Sequence, residues 1–378
     1  MTKTVKLGEI CEIVAGQSPP SETYNNSCIG LPFYQGKADF GVLYPKTRMW
    51  CSQPQKIAQP DDILMSVRAP VGPTNICKEK SCIGRGLTAI RAGVSVYSKY
   101  ILHYLRSIEH ELANKGNGST FAAITQAEVK AIEIPLPPLP EQRRIAALLD
   151  HADALRQKDR QLLAHYDSLA QSIFLELFGD PVRNEKGWEV KRLRHFINNE
   201  RGISYGVVQR GDHIEDGVPV VRIKDIIENT FNANSMVRAH RSITDKYKRT
   251  YLKGNELLIS IRGTVGKLSR VPKQAIGWNI SREVAIIPLN EGISPTFLLE
   301  QLRSSAIQNL ILDDVKGVAQ SGINLSDLKE TPVTDPPFAL QTHFAQAIEQ
   351  IEQQKAVVRQ QIAASEALFG RLLQENFG

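Results

Sequence analysis

ITQAEVKAIEIPLPPLPEQRRIAALLD, residues 124–150, is echoed 199 residues later by INLSDLKETPVTDPPFALQTHFAQAIE, residues 323–349, and that echo decides the fold. The two stretches align without a gap. Ile124 meets Ile323, Lys130 meets Lys329, Pro137 and Pro138 meet Pro336 and Pro337, and Gln142 meets Gln341. The register holds to the end of the chain, where ELFG (176–179) meets ENFG (375–378). In each copy the prolines lock φ and push the preceding residues into extended backbone. A helix then starts, with apolar residues recurring at three and four, and in the first copy Glu141 suits the positive end of its dipole. So long a period marks a duplicated module rather than a solenoid.

Working outward, each half predicts a long helix. Ile145, Leu148, Ala152, Leu155, Leu162, Tyr166, Leu169 and Ile173 form one apolar stripe; Phe344, Ile348, Ile351, Val358, Ile362, Phe369 and Leu372 form the other. Stripes of about five heptads argue for a two-helix coiled coil. The links on either side are short, so the second helix is expected to run antiparallel to the first, with Asp159 near Val358. The segments ahead of the helices echo each other more loosely: DDILMSVRAPVG (61–72) resembles NELLISIRGTVG (255–266), and YILHYLRS (100–107) resembles FLLEQLRS (297–304). Both read as strand, loop, strand and short helix, a mixed α/β scaffold with different loops. The boundaries are 1–140 and 180–340 for two globular domains, and 141–179 and 341–378 for the helices.

The net charge of +6 is unevenly spread. Residues 1–140 and 180–340 carry +4 each, the two helical segments −1 each, and residues 201–282 alone hold 15 basic against 7 acidic side chains. Basic domains alternating with faintly acidic helices point to a polyanion partner. The N-terminus lacks a signal-peptide core and no apolar run reaches about 18 residues, so a cytoplasmic protein is expected. Five cysteines, all in the first quarter, are expected as reduced thiols: Cys77 and Cys82 have no second pair to complete a zinc set.

Two motifs invite a catalytic reading. Asp335-Pro336-Pro337-Phe338 resembles the loop with which amino-group DNA methyltransferases grip a base, but its repeat counterpart, PLPPL (135–139), has no acid. No glycine-rich turn for S-adenosylmethionine follows a strand. Asp180, Glu189 and Lys191 match the D…ExK spacing of magnesium nucleases, although WEVKRL also corresponds to KTVKLG at the start of the first half and so reads as an opening strand. No Ser/His/Asp or Cys/His set stands out, so no catalytic or metal residue is assigned. Candidates for DNA contact are loop donors to phosphates and base edges. In the first domain they are Tyr34, Gln35, Lys37, Arg48, Arg68, Arg85, Lys115, Asn117 and Ser119; in the second, Arg201, Ser204, Arg222, Lys224, Arg238, Arg241, Arg262, Asn279, Arg282, Gln320 and Ser321. Arg68 and Arg262 sit at equivalent places and read equally well as framework ion-pair residues.

LPFYQGKADFG (31–41), DILMSVRAPVG (62–72), CIGRGLTAIR (82–91), STFAAITQAEVKAIEIPLPPLPEQRRI (119–145) and LFGDPVRNEKGW (177–188), in that order, resemble the specificity (S) subunit of type I restriction-modification systems over the whole chain. The resemblance implies two α/β target-recognition domains, each reading one half of a split, asymmetric double-stranded DNA site, spaced by the two helices. It also implies docking of two methyltransferase subunits, which carry the S-adenosylmethionine, and of restriction subunits through the assembled complex, with no cofactor on this chain. The second copy has PFALQTHF where the first has PLPEQRRI, losing the Glu-Gln pair. Two other readings stay open: a self-sufficient methyltransferase or nuclease, which modifies DNA alone, and a coiled-coil scaffold, which ignores DNA.

Overall fold

The computed structural model describes residues 3–115, 123–227, 230–231, 236–316 and 322–378. The chain divides into two compact units, Met1–Gln161 with Arg359–Gly378, and Leu162–Val358. Each holds one globular domain and a stretch of both long helices, Leu139–Phe178 and Phe338–Phe377.

Both domains are built on one plan. In the first unit a four-stranded antiparallel sheet runs in the order Cys11–Ala15, Leu87–Ala92, Ile63–Ser66 and Thr74–Ile76, with Ala89 opposite both Val14 and Leu64. Ile63–Ser66 is buried on both faces, which is why ILMS reads as a continuous apolar run and not an alternating one. The second unit repeats the order with Ser204–Tyr205, Val284–Pro288, Glu256–Ser260 and Leu268–Arg270. Beside each sheet lies a strand paired in parallel, Leu31–Tyr34 with Ser81–Ile83 and Val218–Val221 with Asn279–Ile280. This parallel pairing, shared by domains whose other named strands pair antiparallel, is a structural mark of the duplication. The apolar faces are closed by Ser98–Ser107 in one unit and Pro295–Arg303 in the other.

The repeated glutamine explains why the helices begin where they do. Gln142 is fully buried; its Oε1 accepts from the Tyr97 amide at 2.8 Å and its Nε2 donates to the Ser95 and Pro137 carbonyls at 3.1 and 2.8 Å. Gln341, also buried, makes the matching bonds to the Ser294 amide at 2.9 Å and the Pro336 carbonyl at 2.8 Å. The proline turn thus bolts each helix to the loop before the domain's own helix, satisfying backbone groups that burial would otherwise strand.

Within each unit the helix stretches pair antiparallel. In the first, Arg156 lies over the Phe369 ring at 4.3 Å while Arg160 bonds Glu366 at 2.6 Å. In the second, Lys355 pairs with Asp167 at 2.6 Å and Phe344 meets Phe174 and Phe178. Two expectations need correction. Asp159 accepts from Ser365 Oγ at 3.2 Å, seven residues beyond Val358. All seven apolar residues picked on the second helix are buried or half-buried, but Leu148, Leu155, Leu162 and Leu169 are 38, 52, 40 and 46 % exposed. The covered row on the first helix runs through Ile145, Leu149, Ala152, Arg156, Asp159, Leu163, Tyr166, Ala170 and Ile173. Its middle is polar, and the heptad of leucines faces outward.

In the second unit a cleft of about 570 Å³ is lined by Asp167, Glu300, Arg303, Glu352 and Lys355, among others. Burial raises the Glu300 carboxyl above its ordinary value of 4.5, only partly offset by Arg303 at 2.9 Å. A carboxyl raised in the folded state gives stability that is fully present below its unfolded pKa and lost as pH rises through the folded one. Glu300→Gln should therefore flatten the decline in thermal midpoint above about pH 4.5, read by thermal melts across pH 4–7; an unchanged pH profile would show that Arg303 neutralises the carboxylate fully.

All five cysteines are free thiols. Burial pushes Cys11, Cys77 and Cys82 up to about 11, leaving them protonated and unreactive. No helix among the described residues is long and apolar enough to cross a membrane.

Candidate DNA interface

Three loops of the first domain converge because glycines let their backbones touch. A Cβ on Gly16 would overlap the Gly84 carbonyl oxygen, and one on Gly86 would overlap the Gln35 carbonyl oxygen. The turn after Leu31–Tyr34 is fixed by buried Asp39, whose Oδ2 accepts from the Gln35 amide at 2.7 Å. The result is a cavity of about 780 Å³ lined by Gln35, Lys37, Arg48, Arg68 and Arg85, five of the candidates picked from sequence. Gln35, Lys37, Arg68 and Arg85 are exposed; Arg48, though also exposed, is held on Asp39 by its Nε at 3.2 Å and Nη2 at 2.5 Å.

The second domain repeats the backbone bonds that fix the two arginine-bearing loops. Tyr34 O accepts from Gly84 N at 2.8 Å and Val221 O from Ser281 N at 2.9 Å; Val67 N donates to Gly86 O at 3.0 Å and Ile261 N to Glu283 O at 2.9 Å. These pairs make Arg282 the counterpart of Arg85 and Arg262 that of Arg68. The isolated bridges agree, Arg68 with Ala123 and Arg262 with Gly322. Among the described residues none of these four exposed arginines is in an ion pair, so the framework-pair reading of Arg68 and Arg262 is set aside. Asp225 plays the part of Asp39, taking the Arg222 amide at 3.0 Å and its Nε at 2.7 Å.

Other candidates fall elsewhere. Tyr34 is 2 % exposed, its hydroxyl bonded to Thr47 Oγ1 at 2.9 Å, and Asn279 is fully buried, accepting from Thr250 Oγ1 at 2.6 Å; neither reaches a surface. Arg201 is a structural cation: it pairs with fully buried Glu256 and donates to the Arg249 and Tyr251 carbonyls at 2.9 and 2.7 Å. Ser204 is half-buried, and Arg238 is half-buried with Nη1 donating to the Gly217 carbonyl at 3.3 Å. Lys224 and Arg241 are exposed. Asn117, Ser119, Gln320, Ser321 and the side chain of Lys115 lie outside the described residues. Sequence reasoning passed over Lys246, Lys248 and Arg249, which with Tyr205 and Tyr247 line a recess of about 520 Å³. The signal was there, cations interleaved with aromatics in DKYKRTY (245–251).

The two catalytic-looking motifs are used structurally. Lys191 pairs with Asp335 at 2.6 Å and Glu189 at 3.1 Å across the Val190–Arg192 and Pro332–Thr334 ribbon. Asp180 accepts from the amides of Val182 and Arg183 at 2.8 and 3.0 Å, capping the turn after the first long helix.

Comparison with known proteins agrees with this geometry. The family model described as type I restriction modification DNA specificity domain matches residues 2–164 and 185–365, one match per copy. A putative type I restriction enzyme MjaX specificity subunit of Methanocaldococcus jannaschii is 43 % identical over 184 residues, 48 % of this chain and 43 % of that relative. The type I restriction enzyme EcoBI specificity subunit of Escherichia coli is 26 % identical over 375 residues, covering 92 % of this chain and 78 % of the relative. In fold, the chain aligns over its whole length with 96 % of the S subunit of a type I restriction-modification system from M. genitalium, at TM-score 0.64 and 16 % identity. Two matches to one DNA-specificity model, laid over two domains that repeat the same strand pairing and the same arginine pair, place this chain in the type I restriction-modification specificity subunit family.

Proposed function

We propose that the chain is the non-catalytic reader of a bipartite, asymmetric double-stranded DNA site, one domain per half-site, and that it docks methyltransferase subunits and, through them, restriction subunits. The observation that carries this reading is the repeated pair of exposed arginines, Arg68 with Arg85 and Arg262 with Arg282, set among loops that differ. Shared cations suit the phosphates common to any duplex, and differing neighbours suit different base sequences. The second domain also exposes Lys246, Lys248 and Arg249, which line a recess with Tyr205 and Tyr247. Selection of randomised duplexes by the full chain is expected to enrich two unlike words at a fixed gap; a single uninterrupted word, or none, overturns the reading. S-adenosylmethionine belongs to the partner subunits, so incubation of DNA with this chain and the cofactor is expected to leave DNA unmethylated.

For docking, the outward leucines supply the surface. Leu148 and Leu155 in the first unit, and Leu162 and Leu169 in the second, are apolar residues left in water at heptad spacing, the layout a further helix would cover. Leu155→Glu should weaken capture of a methyltransferase subunit by about tenfold or more, roughly 1.4 kcal/mol, while leaving the thermal midpoint unchanged. Undiminished co-purification would place docking elsewhere.

A further inference from the structure

We propose that Gln35 is the side chain with which the first domain reads one base pair of its half-site, an A·T pair recognised by the adenine edge in the major groove. The assignment rests on the DNA-recognition reading above and adds to it a named residue and a named base.

The backbone of Gln35 is held on three sides. Its amide donates to Asp39 Oδ2 at 2.7 Å, the Gly86 position is too close to its carbonyl oxygen to admit a Cβ, and a Cβ on Gly84 would lie 3.3 Å from its Cα. The side chain, by contrast, is exposed at the cavity lined by Lys37, Arg68 and Arg85. Its one hydrogen bond among the described residues is a long contact from Nε2 to Met49 Sδ at 3.7 Å, a weak acceptor that DNA displaces at little cost. That leaves a carboxamide on a fixed stem with its oxygen open and its nitrogen loosely held, the donor and acceptor pair that matches N7 and N6 of adenine. A reading group needs this kind of support, since its geometry must be set before the base arrives.

The neighbours are unsuited to the part. Arg48 is tied to Asp39 and Tyr34 is buried. Arg68 and Arg85 recur as Arg262 and Arg282, so whatever they touch is common to both half-sites. Gln35 does not recur. The residue leaving the matching strand of the second domain is Arg222, held on Asp225 at 2.7 Å. A group that distinguishes two half-sites must sit where the domains differ.

The test is selection of randomised duplexes by the full chain, with thermal midpoints recorded for each variant. The wild type enriches a two-part word. Gln35→Ala is expected to keep that word except at one position of the first half, where the preference for A·T falls by about tenfold to a hundredfold. Gln35→Glu is expected to turn that position towards C·G, because a carboxylate only accepts and cytosine N4 donates. Arg85→Ala is expected to lower recovery of all sequences alike. Gln35→Ala enriching the wild-type word with undiminished preference at every position overturns the assignment, as does a uniform loss across all sequences in a variant that melts normally. A wild-type chain that enriches no word overturns the DNA-recognition reading itself, and this assignment with it.

Discussion

Phe344→Ala is expected to lower the unfolding free energy of the second unit by about 3–5 kcal/mol, the cost of emptying a buried aromatic site. Phe344 is fully buried, with its ring 5.7 Å from Phe174 and 5.3 Å from Phe178, both edge-on; Phe178 in turn lies 4.7 Å from Phe297 on the helix of the domain. Four rings from three helices therefore close the junction between the domain and the two long helices. Removing one leaves a cavity and also loses the aromatic contacts, worth about 0.5–1.5 kcal/mol per pair beyond area. Chemical denaturation should show it, with Leu169→Ala as the comparison. Leu169 is 46 % exposed, and its loss should change stability by about 0.5 kcal/mol or less. Equal effects of the two substitutions would mean that the covered face of the helices has been misassigned. The first unit closes in a related way, with Phe377 against Tyr100 and Tyr104 at 5.3 and 5.4 Å, so the ENFG end of the chain serves the first domain as ELFG serves the second.

That pair of residues shows what the sequence made legible. The duplication and the antiparallel pairing were readable because each rests on covalent or periodic facts: a repeat that aligns without a gap, and links too short for a parallel return. Every apolar position named on the second helix is buried or half-buried because its covered row is almost wholly apolar, Phe344, Ile348, Ile351, Val358, Ile362, Phe369 and Leu372, with Lys355 and Ser365 between. The first helix misled at half of its positions for the opposite reason. Its covered row passes through Arg156 and Asp159, which find Phe369 and Ser365 across the seam, while a neighbouring row offers four leucines at perfect sevens. Periodicity detects an apolar stripe; it does not say what covers it.

The exposed cationic surface was legible in kind and only partly in residue. Loop position and side-chain chemistry found the exposed Gln35, Lys37, Arg68 and Arg85 and their counterparts Arg262 and Arg282. They also chose Tyr34, Arg201 and Asn279, because a hydroxyl, a guanidinium or an amide that bonds within its own domain is written with the same letter as one that faces solvent. The difference lies in long-range partners: Thr47, Glu256 and Thr250 are 13, 55 and 29 residues away. No local pattern announces them.

Arg68→Glu combined with Arg85→Glu is expected to weaken binding of the selected duplex by about a hundredfold to ten-thousandfold. Each arginine offers a charge-assisted bond to phosphate worth about 1.5–3 kcal/mol, and the carboxylate put in its place adds repulsion. Neither side chain is in an ion pair among the described residues, so no internal partner is orphaned and the fold should survive. The dependence on salt separates this from a general change of charge. If two phosphate contacts are lost, the slope of log affinity against log salt should flatten by nearly two, at about 0.9 per contact. Lys78→Glu with Lys80→Glu makes the same change in net charge on exposed residues that are not among those lining the cavity, and should leave that slope almost unaltered. The same reversal at Arg262 and Arg282 should match the loss at Arg68 and Arg85, because the backbone bonds on either side of each pair recur in both domains, Gly84 N to Tyr34 O as Ser281 N to Val221 O and Val67 N to Gly86 O as Ile261 N to Glu283 O. A loss confined to one domain would show that the repeated arginines, despite equivalent places in the fold, do not hold equivalent phosphates; retained affinity in both double variants would remove this face from the DNA altogether.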